Sequence, residues 1–532
     1  MPPRIPTEIK PAQNRKTATV HKKSWSRLKI TILILLSTIG LYLRIEPALF
    51  DAVHFTYDQG VDISYVRQLV VDHKLSLISR FTGLQGVLMG PLWTWILAIP
   101  YVISGGNPTA NELFLSIVGI AAIWYTYAII KRMLSETEAI IAAFYIAVSG
   151  VFLAAAHIVL SPIPLTLLTI VYVWFLWEIV EHGRKKFLPW LGLLVGIFFQ
   201  FEIGFAIFVV PATLIILLLM QKRRTIPQKE ITLGIFLFGL TFLPQVLFEF
   251  RHDFLMTKAI VGFLTGKNQS LGTEGIGLLG RAILRSGSLW EDYSGSVAFI
   301  QESILGTLAV TIPALYGWWK IRTQKDRHRL RFGIMLLVYI ALMYIGFTVY
   351  PGPIWVWYRA GMPIVFILLV AVGWAALIKE DSRWKLTALA VFIPIALLGT
   401  KPHLLITHLK DGYEGGVGSV KNQKLALDTV FQDAKNIAFD LYVYTPPVYT
   451  YVWDHMLLWY AKPKYAKEPE EYGYHRTGEA RNDFYLLIEP DDFPDRIAGW
   501  KGNFVAFGSP KRTWNLPGGI TIEKWVSKSK KP

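Results

Sequence analysis

Cysteine is absent from all 532 residues. That excludes a disulfide framework, a thiolate nucleophile, a cysteine zinc site and an iron–sulfur cluster. Charge is also scarce: Asp, Glu, Lys and Arg make up 17% of the chain, against about 25% in an ordinary soluble domain. What fills the gap is apolar, with 53% hydrophobic residues, 19 Trp, 24 Tyr and 31 Phe. A large soluble enzyme does not have this composition, and a disordered chain needs the opposite one. The net charge of +16 raises nucleic acid as a partner, but the placement of the basic residues argues against it.

The apolar residues come in runs long enough for membrane helices, which need about 20 mostly apolar residues each. Eleven runs stand out: 28–45, 111–130, 139–155, 162–180, 187–201, 203–220, 231–248, 303–319, 332–350, 358–378 and 385–398. A twelfth, 86–103, contains Pro91 and Pro100. Cytoplasmic loops collect Lys and Arg, and this decides whether the twelfth crosses. The N-terminal stretch carries Arg4, Lys10, Arg15, Lys16, Lys22, Lys23, Arg27 and Lys29 against Glu8 alone, which places it inside. If 86–103 does not cross, the later clusters all fall inside: Lys131/Arg132, Arg184/Lys185/Lys186, Lys222/Arg223/Arg224/Lys229, the basic stretch 320–331 and Lys379/Arg383/Lys385. If it crosses, all fall outside. Residues 86–103 therefore read as a helix in or on the outer face, with Trp93, Trp95 and Tyr101 at interfacial positions. The long basic n-region and the lack of an A-x-A site make 28–45 an uncleaved first span.

The fold class that follows is an α-helical polytopic membrane protein of about 11 spans plus outer-face juxtamembrane helices. Its parts are a basic cytoplasmic N-terminus (1–27), a membrane domain (28–400) with outer loops 46–108 and 249–302, and an extracytoplasmic tail (401–532). The tail reads as a small α/β domain, with a helix at 425–434 and strands at 437–444, 485–488, 503–507 and 520–526. Its end, 527–532, reads as disordered.

Ionisable groups inside spans are costly and mark transport pathways. Here the span centres are nearly clean. Glu112 and Glu249 sit at outer span ends, Glu178 and Glu181 at an inner end, and Glu202 in an outer turn. That distribution fits an enzyme working at the outer face. A transporter or flippase of lipid-linked glycans would line mid-membrane with polar residues and show two similar halves, and neither is seen. A non-catalytic membrane protein that binds a partner through its tail would leave Asp58 and Arg251 without a role.

The first outer loop contains Tyr57-Asp58-Gln59-Gly60-Val61-Asp62-Ile63-Ser64-Tyr65. On a helix Asp58, Asp62 and Tyr65 share one face. Two carboxylates there suit a shared divalent metal or a base with an acid beside it; helix capping by Asp58 is the structural alternative. The second loop opens Glu249-Phe250-Arg251-His252-Asp253, where Arg251 and His252 suit either a phosphate or a headgroup anchor. Tyr358-Arg359, flanked by Trp355 and Trp357, poses the same choice. His157, before Ser161-Pro162, is a ligand or a polar cap, and Glu202 follows Gln200-Phe201 in a turn. His403 and His408 complete no metal motif. The G-x-G-x-x-G match at 275–280 follows no strand and is not a nucleotide site. Asn268-Gln269-Ser270 matches a glycosylation acceptor. The tail aromatics Tyr444, Tyr449, Tyr451, Trp453, Trp459 and Tyr460 either stack on sugars or pack a core.

In order along the chain, Tyr57-Asp58-Gln59, Gly90-Pro91-Leu92-Trp93, Lys131-Arg132, Gln200-Phe201-Glu202, Phe248-Glu249-Phe250-Arg251-His252 and Tyr358-Arg359 with Pro363 resemble the motifs of the GT-C polytopic glycosyltransferases. The branch resembled is that of protein mannosyltransferases and aminoarabinose transferases, over residues 28–400. The resemblance implies hexosyl or pentosyl transfer from a polyprenyl-phosphate donor to a glycan, lipid or protein acceptor at the outer face of the cell membrane, with no nucleic acid involved. It implies Asp58 as the catalytic carboxylate and Arg251, His252 and Arg359 at the donor phosphate. Asp62, Glu202 and His157 are candidates for a second acid or metal ligand. The family's common Asp-Glu pair is Asp58-Gln59 here, which leaves the use of a divalent metal open.

Overall fold

The computed structural model describes residues 27–220, 227–265, 276–298, 303–400, 408, 413–476 and 483–528. The N-terminal basic stretch up to residue 26, Arg223 and Arg224 with the rest of their cluster through 226, the Asn268 motif, Gly275, His403 and residues 529–532 lie outside the described residues.

Every apolar run is a helix. They are α1 (Arg27–Leu49), α4 (Pro108–Met133), the bent pair α5 (Glu136–Val148) and α6 (Gly150–His157), α7 (Ile163–Val180), α8 (Leu188–Phe201), α9 (Ile203–Met220), the bent pair α10 (Gln228–Leu240) and α11 (Leu243–Arg251), α14 (Ile304–Thr323), α15 (Arg327–Val349), α16 (Met362–Glu380) and α17 (Arg383–Thr400). Between them lie four helices outside the runs or short of a span: α2 (Tyr57–Val70), α3 (Leu92–Ser104), α12 (Leu255–Leu264) and α13 (Leu278–Val297). Among the described residues eight helices are long and apolar enough to cross a membrane, or ten with each bent pair as one span. The difference from eleven is α8, whose 14 residues make about 21 Å at 1.5 Å per residue, short of a hydrocarbon core of about 30 Å.

Ion pairs gather the basic ends at one end of the bundle. Lys29 at the start of α1 and Lys131 at the end of α4 both pair with Glu136 at the start of α5. Arg329 of α15 and Lys379 of α16 both pair with Glu138. Arg331 binds Glu181, beyond α7, and the Met220 carbonyl that ends α9. The start of α1 and the end of α4 thus share one end, so α3 does not cross between them. The ends of α7 and α9 also share it, so α8 runs out and α9 runs back. The chain is a multi-pass membrane protein.

Both bends have a side chain covering the carbonyls that the break frees, which lipid cannot do. The α5–α6 bend is 47°, and Arg44 of α1 donates to the Ala147 carbonyl at 2.9 Å and the Ile146 carbonyl at 2.6 Å. The α10–α11 bend is 52°, and Gln200 at the end of α8 donates from Nε2 to the Thr241 carbonyl at 2.8 Å.

The tail folds as α18 (Val420–Ala434) against a five-stranded sheet of order β2-β1-β3-β5-β4, with β1 Phe439–Tyr444, β2 Tyr472–Gly473, β3 Asp483–Ile488, β4 Gly508–Asn515 and β5 Thr521–Ser527. β1 is parallel to β2 and β3; β5 is antiparallel to β3 and β4. The central pair β1 and β3 is buried on both faces, hence its mostly apolar sequence, interrupted in β1 by the buried Asp440. The strand expected at 503–507 is a turn, and the strand begins at Gly508. The tail is bonded to the loop between α1 and α4: Phe55 N–H donates to the Gly418 carbonyl at 2.7 Å, Val420 N–H to Val53 and Lys421 N–H to Asp51.

Candidate active site

The loop–tail pairing ends where α2 begins, so the tail fixes the start of that helix. Thr56 caps it. The Gln59 side-chain oxygen accepts from the Thr56 N–H at 2.9 Å and its hydroxyl at 2.6 Å. Gln59 therefore completes a capping box, and Asp58 is free of the capping role that the sequence left open. Its side chain is 52% exposed and pairs with Arg80 Nη1 at 3.1 Å.

Arg80 comes from a hairpin in the same loop, closed by Ser79 N–H to the Met89 carbonyl and Met89 N–H to the Arg80 carbonyl. Its positive charge also acts on Asp62 and Glu202. Asp62, one turn beyond Asp58 as the spacing predicts, is buried and accepts from Trp93 Nε1–H of α3 at 2.8 Å. Burial pushes its carboxyl up to about 6, with Arg80 and Trp93 opposing. Glu202, in the α8–α9 turn, accepts from Gly204 N–H at 3.0 Å, and burial pushes it up to about 7. Asp62 Oδ1 and Glu202 Oε2 are buried with no hydrogen-bond partner among the described residues.

Tyr358 closes the site from the segment before α16. A Cβ at Gly204 would lie 2.4 Å from its ring and one at Gly83 2.5 Å from its hydroxyl, so two glycines admit the tyrosine. Gly90 has a like role: a Cβ there would lie 1.8 Å from Gln200 Oε1.

The remaining candidates divide. Arg251 at the end of α11 is exposed and forms no ion pair among the described residues. Phe248, three residues before it, packs with Val87 and Leu88 of the hairpin. His252 stacks on Phe248 at 3.9 Å, with Nδ1 against the Phe248 carbonyl. Arg359, expected at the donor phosphate, is not brought to Arg80. It forms a two-pronged pair with Asp292 of α13, at 2.5 and 3.1 Å, and donates to the Ile354 carbonyl. Of the Tyr358-Arg359 pair the tyrosine lies against the turn that carries Glu202, its ring beside Gly204. His157 also lies elsewhere: Nδ1 is 3.1 Å from Glu112 Oε1 and Nε2 3.1 Å from the Leu43 carbonyl.

A divalent metal does not fit these side chains. Among the described residues no group of three or more His, Asp or Glu is placed to hold one, and the guanidinium of Arg80 already supplies the cation that Asp58 pairs with. Sequence reasoning missed Arg80. The available signal was that outer loop 46–108 holds only three basic residues, Arg67, Lys74 and Arg80, in a loop class depleted of them.

Residues 89–248 match the family model of dolichyl-phosphate-mannose-protein mannosyltransferases. A protein of Aquifex aeolicus (strain VF5), described as uncharacterized, is 30% identical over 171 residues, 31% of this chain and 34% of that protein. The match thus spans about a third of this curated relative's length. Among solved structures, ArnT from Cupriavidus metallidurans in the apo state is similar at TM-score 0.57 and 10% identity, covering 93% of this chain and 97% of ArnT. ArnT bound to undecaprenyl phosphate gives 0.54 at 10% identity, covering 95% and 98%. The Archaeoglobus fulgidus oligosaccharyltransferase in complex with Zn and sulfate gives 0.52 at 14%, covering 93% and 73%. The chain has the GT-C fold.

Proposed function

We propose that the protein is a membrane glycosyltransferase that moves a sugar from a polyprenyl-phosphate-linked donor to an acceptor at the outer face of the cell membrane. The observation that carries this is the Asp58–Arg80 pair: an exposed carboxylate and a largely buried guanidinium side by side, beside the apolar helix α3. The family match and the GT-C fold support the same reading, as does the undecaprenyl phosphate bound by ArnT.

The reaction needs a base and a cation at opposite ends of one bond. Asp58 takes the proton from the acceptor hydroxyl as its oxygen attacks the anomeric carbon. The bond from that carbon to the phosphate oxygen breaks, and the phosphate leaves with the electron pair. Arg80 stabilises the charge that grows on it, with Arg251 as a second cation and the Tyr358 hydroxyl as a neutral donor. An arginine fork suits a phosphate better than a lysine point charge. Asp62 holds Trp93 and thereby the angle between α2 and α3. The basic end of the bundle is cytoplasmic in this reading, so the site faces outward. The sugar is a hexose or pentose.

The test is release of polyprenyl phosphate by purified protein in nanodiscs, given a panel of polyprenyl-phosphate sugars. Consumption of at least one donor is expected, and it persists in EDTA. Tight binding of lipid-linked glycan with no donor consumed contradicts the reading and favours a flippase.

A further inference from the structure

Not all the tail aromatics are core. Tyr444 and Trp453 are buried. Tyr449 is 58% exposed, and it lies with Tyr451 as two stacked rings, centroids 5.7 Å apart and 16° between planes. Tyr57 of α2 joins them, at 6.2 Å from Tyr449 and 5.9 Å from Tyr451. Tyr57 is the residue before Asp58, so this group adjoins the exposed carboxylate. None of the three hydroxyls bonds to another described residue. None of these hydroxyls is among the buried unpaired polar atoms, so each is open to water or to a polar ligand, and the three rings beside a carboxylate present both stacking faces and hydrogen-bonding groups.

The surroundings give the group depth and direction. α2 is held tightly on this side: a Cβ at Gly60 would lie 2.8 Å from the Val452 nitrogen. Its other side bonds to α3 through Asp62 and Trp93. The tyrosines thus stand on the tail side of Asp58, opposite the apolar helix α3. A cavity of about 40 Å³ beneath them is lined by Tyr57, Tyr449, Thr445 and Glu489 among others. Burial holds the Glu489 carboxyl up to about 7. Val448, just before Tyr449, has φ 72°, a conformation that a β-branched residue adopts only under constraint.

We propose that Tyr57, Tyr449 and Tyr451 form a carbohydrate-binding subsite that holds a sugar ring of the acceptor against Asp58. This rests on the glycosyltransferase reading and adds to it that the acceptor is a glycan and that the tail helps bind it. The ring faces stack on the C–H face of a sugar, and the free hydroxyls take its hydroxyl groups. A lipid tail has no use for the hydroxyls.

The experiment is saturation-transfer NMR on the full-length protein in nanodiscs, with a panel of methyl glycosides as probes and no donor present. At least one glycoside should receive saturation on its ring protons. Tyr449→Ala with Tyr451→Ala should remove the signal, with affinity falling about tenfold per ring lost. Tyr449→Phe keeps the stacking and loses one hydroxyl, so it should weaken the signal measurably but less than Tyr449→Ala does; a Phe variant equal to wild type would remove the hydroxyl from the proposal. Equal thermal midpoints show that the variants are folded; the exposed Tyr449→Ala alone serves if the pair is not. A panel that receives no saturation, or a folded double variant that matches wild type, overturns the proposal. Donor consumption is measured separately, so failure here with polyprenyl phosphate still released leaves the enzyme reading standing.

Discussion

Asp62 and Glu202 are carboxyls that burial raises to about 6 and about 7. In the unfolded chain each titrates near the ordinary carboxylate value of about 4. Between about pH 4 and 7 the folded protein therefore holds more protons than the unfolded one, and its stability falls as pH rises through that window. For Glu202 the cost fully developed above pH 7 is about 3 kcal/mol. Glu202→Gln should remove much of the fall in thermal midpoint between about pH 5 and 8, read by a melting series; an unchanged slope contradicts the buried carboxyl. Arg359 yields a second expectation. Its pair with Asp292 is nearly buried, with side-chain exposures of 8% and 11%. Removing one partner of such a pair costs about 3–5 kcal/mol. Arg359→Ala should thus lower the thermal midpoint strongly, whereas Arg80→Lys should weaken donor use with little loss of stability. Sequence spacing brought Asp58 and Asp62 to one helix face, and that holds. The partner of each basic residue was not legible, because Arg359 meets Asp292 across 67 residues of chain and no local pattern encodes that.

The elements were legible to different degrees. Apolar runs define helices because a membrane helix satisfies its own backbone, so all the runs appear in place. The bends did not show, since they depend on Arg44 and Gln200 reaching across from other helices. The short strand β2 and the whole of β4, expected at 503–507 and found at Gly508–Asn515, were missed because their pairing, not their composition, makes them strands. Gly90 gives the element-scale prediction. Added bulk in a filled space costs about 1–3 kcal/mol, and a Cβ there meets the Gln200 side chain at 1.8 Å. Gly90→Ala should lower the thermal midpoint, and Gln200→Ala in the same chain should recover part of the loss. Simple additivity of the two would contradict the contact.

At the scale of the whole molecule, the ion pairs through Glu136, Glu138 and Glu181 collect the basic ends on one side, and the α/β tail docks on the loop between α1 and α4 at the other. The native absence of cysteine makes this directly testable. Single cysteines at Lys186 and at Lys464 should react with a membrane-impermeant maleimide from opposite sides of the membrane, Lys464→Cys from outside. Labelling of both from one side contradicts the topology. Loop charge alone carried this arrangement, because it reports a whole-chain parity that one doubtful run would invert.

The central claim is that Asp58 takes the acceptor proton beside Arg80. The most direct measurement is sugar transfer by wild type and Asp58→Asn with a donor that the wild type consumes. The substitution keeps size and removes the base, and general-base loss costs about 10²–10⁴ in rate. The account expects the variant to bind donor with near wild-type affinity and to turn over at least about a hundredfold more slowly. A variant that transfers sugar at the wild-type rate would contradict it.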